Sequence, residues 1–442
     1  MKNNGTGNNN IENALILEKA ELRLRLDEII RTTPVIDIHT HLFSPEFAGL
    51  NLYGIDELLT YHYLVAELFR SNPISPEDFW RLDKSRQADL VWRTLFVENT
   101  PLSEACGGVI TILSALGLDT RAEDLREARE FFRTQEMGAH LDSVLEKACV
   151  SDVVMTNDPF DAEEIEVWTN GAGVDSRFHA ALRMDRLLNS WNHTAEKLTK
   201  IGYEVEESVN DKTADEIRRF LDQWISVMKP LYMAVSLPDD FLYPADDART
   251  RIIDRVVLPT ARAHDLPFAL MIGVRRSVNP ALRVAGDGVG FAEMRALERL
   301  CAENPDVRFL ATFLSRENQH ELCVASRKFS NLMPFGCWWF LNNPSIIAEI
   351  TDERIELLGT SFIPQHSDAR VLEQLIYKWQ HSRRVINESL YKSYERLLTA
   401  GRAVTLPEIK RDVERMFSGS FRQWVGLESA ALTENSKNEA NL

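Results

Sequence analysis

Pro34-Val35-Ile36-Asp37-Ile38-His39-Thr40-His41 reads as a single buried strand, apolar and β-branched, ending in two histidines separated by one residue. Side chains alternate faces along a strand, so His39 and His41 point the same way, about 6–7 Å apart along the backbone. Two imidazoles converging from one strand end can share one metal ion at about 2.1 Å from each nitrogen. Asp37 shares that face one step further in, where a carboxylate would orient a ligand histidine. A bare HxH is also what two partly exposed histidines at a strand end look like, so the rest of the chain has to decide between these readings.

Before this strand, residues 11–31 have helical periodicity. After it, residues 56–150 read as helical almost throughout, with breaks at Ser71-Asn72-Pro73, Asn99-Thr100-Pro101 and Gly107-Gly108, which makes a helical insertion of several helices. The rhythm changes at Ser151. Apolar runs at 152–156, 178–183, 232–237, 268–274, 307–314, 332–340 and 355–363 are interleaved with amphipathic stretches such as 215–228, 248–264, 291–303, 317–329 and 345–354. Strand–helix alternation implies an α/β protein with a parallel sheet covered by helices. With the first strand the runs number eight, the count that closes a (β/α)8 TIM barrel. An open doubly wound sheet is the competitor, but no GxGxxG follows any strand. The expected organisation is a leader and helix over 1–33, a barrel over 34–55 plus 151–425, the helical insertion over 56–150, and a flexible Ser/Asn/Glu-rich tail over 426–442.

A chain of 442 residues can bury a large core, and 44% hydrophobic with 26% charged residues is ordinary for a globular protein. The net charge of −17, without a long basic run, argues against nucleic acid and anionic membranes as partners. An anionic substrate would need a local basic pocket. Cys106, Cys149, Cys301, Cys323 and Cys337 show no CxxC spacing and are odd in number, which fits reduced thiols better than a disulfide framework. The Asn/Gly-rich start lacks the apolar core of a signal peptide, and no apolar run approaches the roughly 18 residues that span a bilayer. A cytoplasmic location is expected.

Chemistry in such barrels sits at the carboxyl ends of the strands. After His39 and His41 those ends supply Asn157-Asp158-Pro159, Arg183-Met184-Asp185, Ser236, Arg275-Arg276, Ser315-Arg316-Glu317, Trp338-Trp339 and His366-Ser367-Asp368-Ala369-Arg370. Closure makes the eighth strand a neighbour of the first, so Asp368 is the natural third ligand, and three protein ligands with an open position describe a catalytic metal. The competing reading of Asp368 is an acid at a helix N-terminus, with a helix expected over 369–379. Arg370 would then lie in the first turn of that helix, where a cation opposes the dipole, and so points to a ligand instead. Arg183 suits bidentate capture of a carboxylate, alone or together with Asp185 on the same face. His62 and Tyr63 follow the first strand where the insertion could fold over the mouth. Trp338 and Trp339 cannot both face inward from one strand; one would wall the site while the other packs outward. His179, His193, His264 and His381 read as structural or surface residues, and His320-Glu321 lacks the second histidine of a zincin motif.

Residues 35–41, 60–64, Ala181-Leu182-Arg183-Met184-Asp185, Gly336-Cys337-Trp338-Trp339-Phe340 and 365–370 together resemble uronate isomerase, of the amidohydrolase superfamily. The similarity runs from about residue 33 to 426, closest to the shorter branch of the family. It implies a distorted (β/α)8 barrel of the metal-dependent amidohydrolase type, one divalent metal ion, usually Zn2+, and aldose–ketose interconversion of sugar acids through a cis-enediol. The family reactions are D-glucuronate to D-fructuronate and D-galacturonate to D-tagaturonate. By the resemblance His39, His41 and Asp368 are metal ligands and Arg183 binds the substrate carboxylate. His62, Tyr63 and Arg370 surround the reacting C1–C2 end, and Trp339 or its neighbour Trp338 lines the pocket. Longer members carry a histidine on the fifth strand, where this chain reads Phe268-Ala269-Leu270-Met271-Ile272-Gly273 and places Met271.

The base that takes the C2 proton is either Tyr63 or Asp368; the residues alone do not choose. A metal-dependent hydrolase or decarboxylase on the same barrel, and a non-catalytic sugar-acid binding protein, are the rival functions. The partner expected is a small-molecule uronate, and a homo-oligomer is expected for a barrel of this size.

Overall fold

The computed structural model describes residues 15–171 and 173–427; the polar leader and most of the tail, 428–442, lie outside the described residues. Seven parallel strands form a curled sheet in sequence order: β1 (Val35–Thr40), β2 (Val150–Asn157), β3 (Phe178–Arg183), β4 (Met233–Pro238), β5 (Phe268–Arg275), β6 (Phe309–Phe313) and β7 (Leu332–Pro334). A two-residue strand, Gly288–Val289, pairs antiparallel with the end of β5. All six residues of β1 are buried, the pattern of a strand covered on both faces.

Alternate residues of β4 to β7 divide between two cores. Met233, Val235, Leu237, Phe268, Leu270, Ile272, Phe309, Ala311, Phe313 and Leu332 pack outward on the surrounding helices. Ala234, Ala269, Met271, Leu310 and Met333 face the opposite, inner side. One inward position further along, Ser236, Met271 and Thr312 are register partners.

The expected eighth strand, 355–363, is absent as a strand. Residues 355–358 finish the helix Pro344–Leu358, whose buried Ile347, Ile350, Thr351 and Arg354 recur at helical spacing. Gly359, at φ 65°, ends it. Beyond that glycine an irregular segment, 363–369, is hydrogen-bonded to both edges of the sheet. Ile363 N–H donates to Pro334 O at 3.1 Å and Gly336 N–H to Ile363 O at 2.8 Å. On the other side Asp368 N–H donates to His39 O at 3.2 Å and His41 N–H to Ala369 O at 2.7 Å.

The seventh run is also shorter than expected. β7 stops at Pro334 because Gly336 (φ 62°) and Trp339 (φ 47°) turn the chain, and Trp339–Leu341 is a 3-10 turn. Trp338 and Trp339 are therefore not governed by strand alternation, and both are buried in the same core. The helix expected over 369–379 begins only at Gln374 and runs to Thr399. Asp368 and Arg370 precede it, so neither the acid-at-N-terminus reading nor the reasoning from the dipole applies to them.

Between Ile55 and Ala148 the chain is helical: Ile55–Leu59, His62–Ser71, Pro76–Arg81, Lys84–Trp92, Glu104–Ala115, Arg126–Arg133 and Met137–Ala148. Ser75, Asp83 and Ser103 cap three of them by accepting a backbone N–H three residues on. These helices share a core of their own, including Leu59, Leu68, Phe79, Val91 and Val109. Gly107-Gly108 does not break a helix, contrary to expectation, but lies inside Glu104–Ala115. A Cβ on Gly108 would come within 2.7 Å of the Tyr377 ring, so close packing explains that glycine. The amino-terminal helix is Lys19–Thr32, shorter than the periodicity suggests.

All five cysteines are free, and no helix among the described residues is long and apolar enough to cross a membrane.

Candidate active site

The structure brings His39, His41 and Asp368 together: one donor atom from each lies within 4.8 Å of the others. Asp368 Oδ1 stands 3.3 Å from His41 Nε2 and 3.8 Å from His39 Nε2. Strand β1 supplies the histidines, and the segment 363–369, with Asp368 at φ 53°, brings the carboxylate beside them.

Hydrogen bonding favours ring protons on Nδ1. Thr156 Oγ1 is 3.0 Å from Thr40 O, to which it can donate, and 2.9 Å from His41 Nδ1, from which it can then accept. Tyr232 likewise donates to Ile38 O at 2.5 Å and lies 3.4 Å from His39 Nδ1. In neutral rings this leaves both Nε2 lone pairs aimed toward Asp368. Burial holds the rings neutral, pushing His39 down to about 3 and His41 well below the usual histidine range, with Arg183 and Arg370 adding to the effect on both. Asp368 Oδ1 is buried without a hydrogen-bond partner. Two lone pairs and an orphaned carboxylate oxygen facing one another repel unless a cation lies between them. The donor set fits a divalent metal ion.

Asp37 does not orient a ligand histidine. It is fully buried and accepts Ser367 N–H at 3.0 Å and Trp379 Nε1–H at 2.8 Å, pinning the segment that carries Asp368. Desolvation raises its carboxyl to about 6, opposed by those hydrogen bonds.

The other expected site residues surround this centre. Arg183, at the end of β3, pairs with Asp185 at 3.1 Å. Arg370 is exposed and has no carboxylate partner among the described residues, while its charge lowers the proton affinity of His41 and His62. His62 opens the helix His62–Ser71, its Nε2 buried without a partner and its ring 5.6 Å from that of Trp339. Burial pushes His62 down to about 3. Tyr63 packs 4.3 Å from the His62 ring, centroid to centroid, and desolvation holds its phenol well above the usual tyrosine range. Trp339 stacks on Phe340 and leaves Nε1 buried and unpartnered. Trp338 lies beside it, with ring centroids 6.2 Å apart.

Sequence reasoning missed Thr156, Tyr232 and His366. The first two carry no signal in a linear reading, since a strand-end threonine and a tyrosine before a strand are common. His366 is fully buried, 5.3 Å from the His39 ring between centroids, with both ring nitrogens unpartnered. Gly336 makes room for it, since a Cβ there would fall 1.8 Å from His366 Nδ1. Its place in the run of strand-end polar residues was the available signal. Met271 is buried among the inward-facing residues of the sheet.

No protein-family model matches the chain, and none of the curated proteins compared matches it. Solved structures do. The chain is 53% identical to a uronate isomerase from Bacillus halodurans C-125, with a TM-score of 0.92 over 95% of this chain and 100% of that one. A uronate isomerase from Thermotoga maritima (14% identity, TM-score 0.75, 93% and 100% covered) shares the fold. So does a glucuronate isomerase from Caulobacter crescentus (15%, TM-score 0.74, 93% and 95%). Identity over half the residues, spread across the full length of the Bacillus halodurans protein, places the chain in the uronate isomerase family.

Proposed function

We propose that this protein interconverts aldose and ketose uronic acids, D-glucuronate with D-fructuronate and D-galacturonate with D-tagaturonate. The observation that carries the reading is the convergence of His39, His41 and Asp368 with two cations, Arg183 and Arg370, whose charges reach the same imidazoles. One centre can act on the carbonyl end of a sugar while a guanidinium holds its carboxylate. The fold is read with it: a distorted (β/α)8 barrel in which the segment 363–369 takes the eighth position.

His39, His41 and Asp368 would hold the metal ion. When bound, a divalent cation, Zn2+ for two imidazoles and a carboxylate, supplies positive charge that polarises the substrate's oxygens. Arg183 binds the substrate carboxylate through a bidentate pair, already oriented by Asp185. The raised affinity of Tyr63 for its proton suits it to donate rather than to start as a base. Asp368 then takes the C2 proton while Tyr63 gives its proton to O1, leaving an enediol and a phenolate. In the second half Asp368 returns the proton to C1, and the O2 hydroxyl returns one to Tyr63. Both residues end as they began. Arg370 faces the oxygens on which charge develops, and Trp339, with Trp338 behind it, walls the pocket against water.

Hydrolysis finds less support. Among the described residues His39, His41 and Asp368 are the only group of three or more His, Cys, Asp or Glu placed to hold an ion, and Met271 adds no donor on β5. Incubating the zinc-loaded protein with each uronate and following ketose formation tests the reading. Ketose from at least one supports it, and none from either refutes it.

A further inference from the structure

Behind Tyr63 lies a buried charge that the proposed chemistry has not used. Lys378, on the helix Gln374–Thr399, has a side chain only 4% exposed. Its Nζ donates to Glu104 Oε1 at 3.2 Å and stands 5.5 Å from the centroid of the Tyr63 ring and 4.9 Å from that of Tyr377. Glu104 opens the helix Glu104–Ala115, and Gly108 on that helix lets the Tyr377 ring lie flush against it.

The ion pair continues into a polar chain. His381 Nδ1 is 3.8 Å from Glu104 Oε1, and its Nε2 is 3.1 Å from Asn342 Oδ1. Asn342 Nδ2 in turn donates to the backbone carbonyls of His366 and Ser367 at 3.3 and 3.4 Å. One end of the network therefore touches the face of Tyr63, and the other holds the segment that carries Asp368.

A buried ion pair is a poor way to gain stability, because well-packed apolar residues of similar volume serve as well or better. A cation against a tyrosine face has a different use when the phenol gives up its proton. Glu104 spends its charge on Lys378, and Asp368 is neutral once it has taken the C2 proton. Lys378 is the cation packed against the Tyr63 ring.

We propose that Lys378, clamped by Glu104 against Tyr63, is a positioning residue for the isomerisation: it acts through Tyr63, fixing the ring and countering the negative charge left when the phenol donates its proton. The proposal rests on the functional reading above. Lys378 touches no substrate atom, so its effect falls on turnover and not on binding.

The test uses zinc-loaded Lys378→Met, Lys378→Arg and Glu104→Gln, with kcat, KM, metal content and melting temperature measured for each. Lys378→Met is expected to keep its metal while kcat falls about 10–100-fold, with KM changing less than about 3-fold. Lys378→Arg, which keeps the charge, should recover most of the lost kcat. A folded, metal-loaded Lys378→Met with wild-type kcat overturns the proposal, as does an arginine variant no better than methionine. If Lys378→Met does not fold, Glu104→Gln decides: kcat lowered at unchanged KM supports the clamp, and wild-type kcat overturns it. A wild-type protein without isomerase activity overturns the functional reading and this proposal together, whereas an active wild type beside an unimpaired Lys378→Met overturns this proposal alone.

Discussion

Thr156 Oγ1 lies 2.9 Å from His41 Nδ1 and 3.0 Å from Thr40 O, a placement that favours the tautomer with His41 Nε2 free toward Asp368. Thr156→Val keeps the shape and removes the acceptor. Metal affinity should fall about 10–100-fold, the usual effect of removing the partner of a ligand histidine. A chelator competition read by elemental analysis checks this, and activity should return when zinc is supplied in excess.

Arg183 and Asp185 form a pair at the end of β3, with the guanidinium placed to meet an anionic group. Arg183→Met should raise KM for D-glucuronate about 10–100-fold, the size of a lost charge-assisted hydrogen bond, with a smaller change in kcat. Steady-state kinetics at saturating metal measure the split. A substrate analogue lacking the carboxylate should lose affinity with the wild type and be indifferent to the substitution.

Asp37 and Ser367 show how far the sequence can be read. The HxH run, the strands 152–156 and 178–183, the closing aspartate and the position of Arg183 are legible because burial pattern and residue type carry them. The eighth stave is not. Ile355 and Leu358 are apolar enough to read as strand, but they continue a helix whose buried residues lie at 347, 350, 351 and 354. The chain that bonds both sheet edges instead is 363–369, whose middle, Gln365-His366-Ser367-Asp368, is polar and fixed by Ser367 N–H on the Asp37 carboxylate. Only the three-dimensional partner explains why such a polar stretch is buried. For the same reason Asp37 reads as a support for a ligand histidine, and the helix after Asp368 is expected five residues early. Gly107-Gly108 reads as a break because the Tyr377 ring that needs Gly108 lies far along the chain.

Gly336 makes a prediction about stability. It sits at φ 62°, and an added Cβ would fall 1.8 Å from His366 Nδ1. Gly336→Ala combines backbone strain with overpacking beside the metal centre, at a cost of about 2–3 kcal/mol. Denaturant unfolding of the metal-loaded variant measures it, and displacement of His366 should lower activity as well.

Glu164 sets a pH dependence of stability. Its buried carboxyl accepts Asn157 Nδ2–H at 2.8 Å and Asp158 N–H at 3.1 Å, and desolvation raises it to about 7. The folded state therefore holds this proton more tightly than the unfolded chain does. Its contribution to stability is present in full below about pH 4.5 and is lost as pH rises through 7, by at most about 3 kcal/mol. Melting temperatures between pH 4.5 and 8 should show Glu164→Gln without this component of the decline, the difference from wild type growing in the variant's favour toward alkaline pH.

His39, His41 and Asp368, with Arg183 across the same mouth, are assigned here to rearranging a uronic acid without cutting it. Proton NMR of D-glucuronate with the zinc-loaded protein in deuterated water puts that assignment to the test. The expected product is D-fructuronate of unchanged carbon skeleton, with deuterium appearing at C1 or C2 as the transferred proton exchanges with solvent, and no such signal from Asp368→Asn. A product that has lost carbon dioxide or gained water, or turnover undiminished in Asp368→Asn, would contradict it.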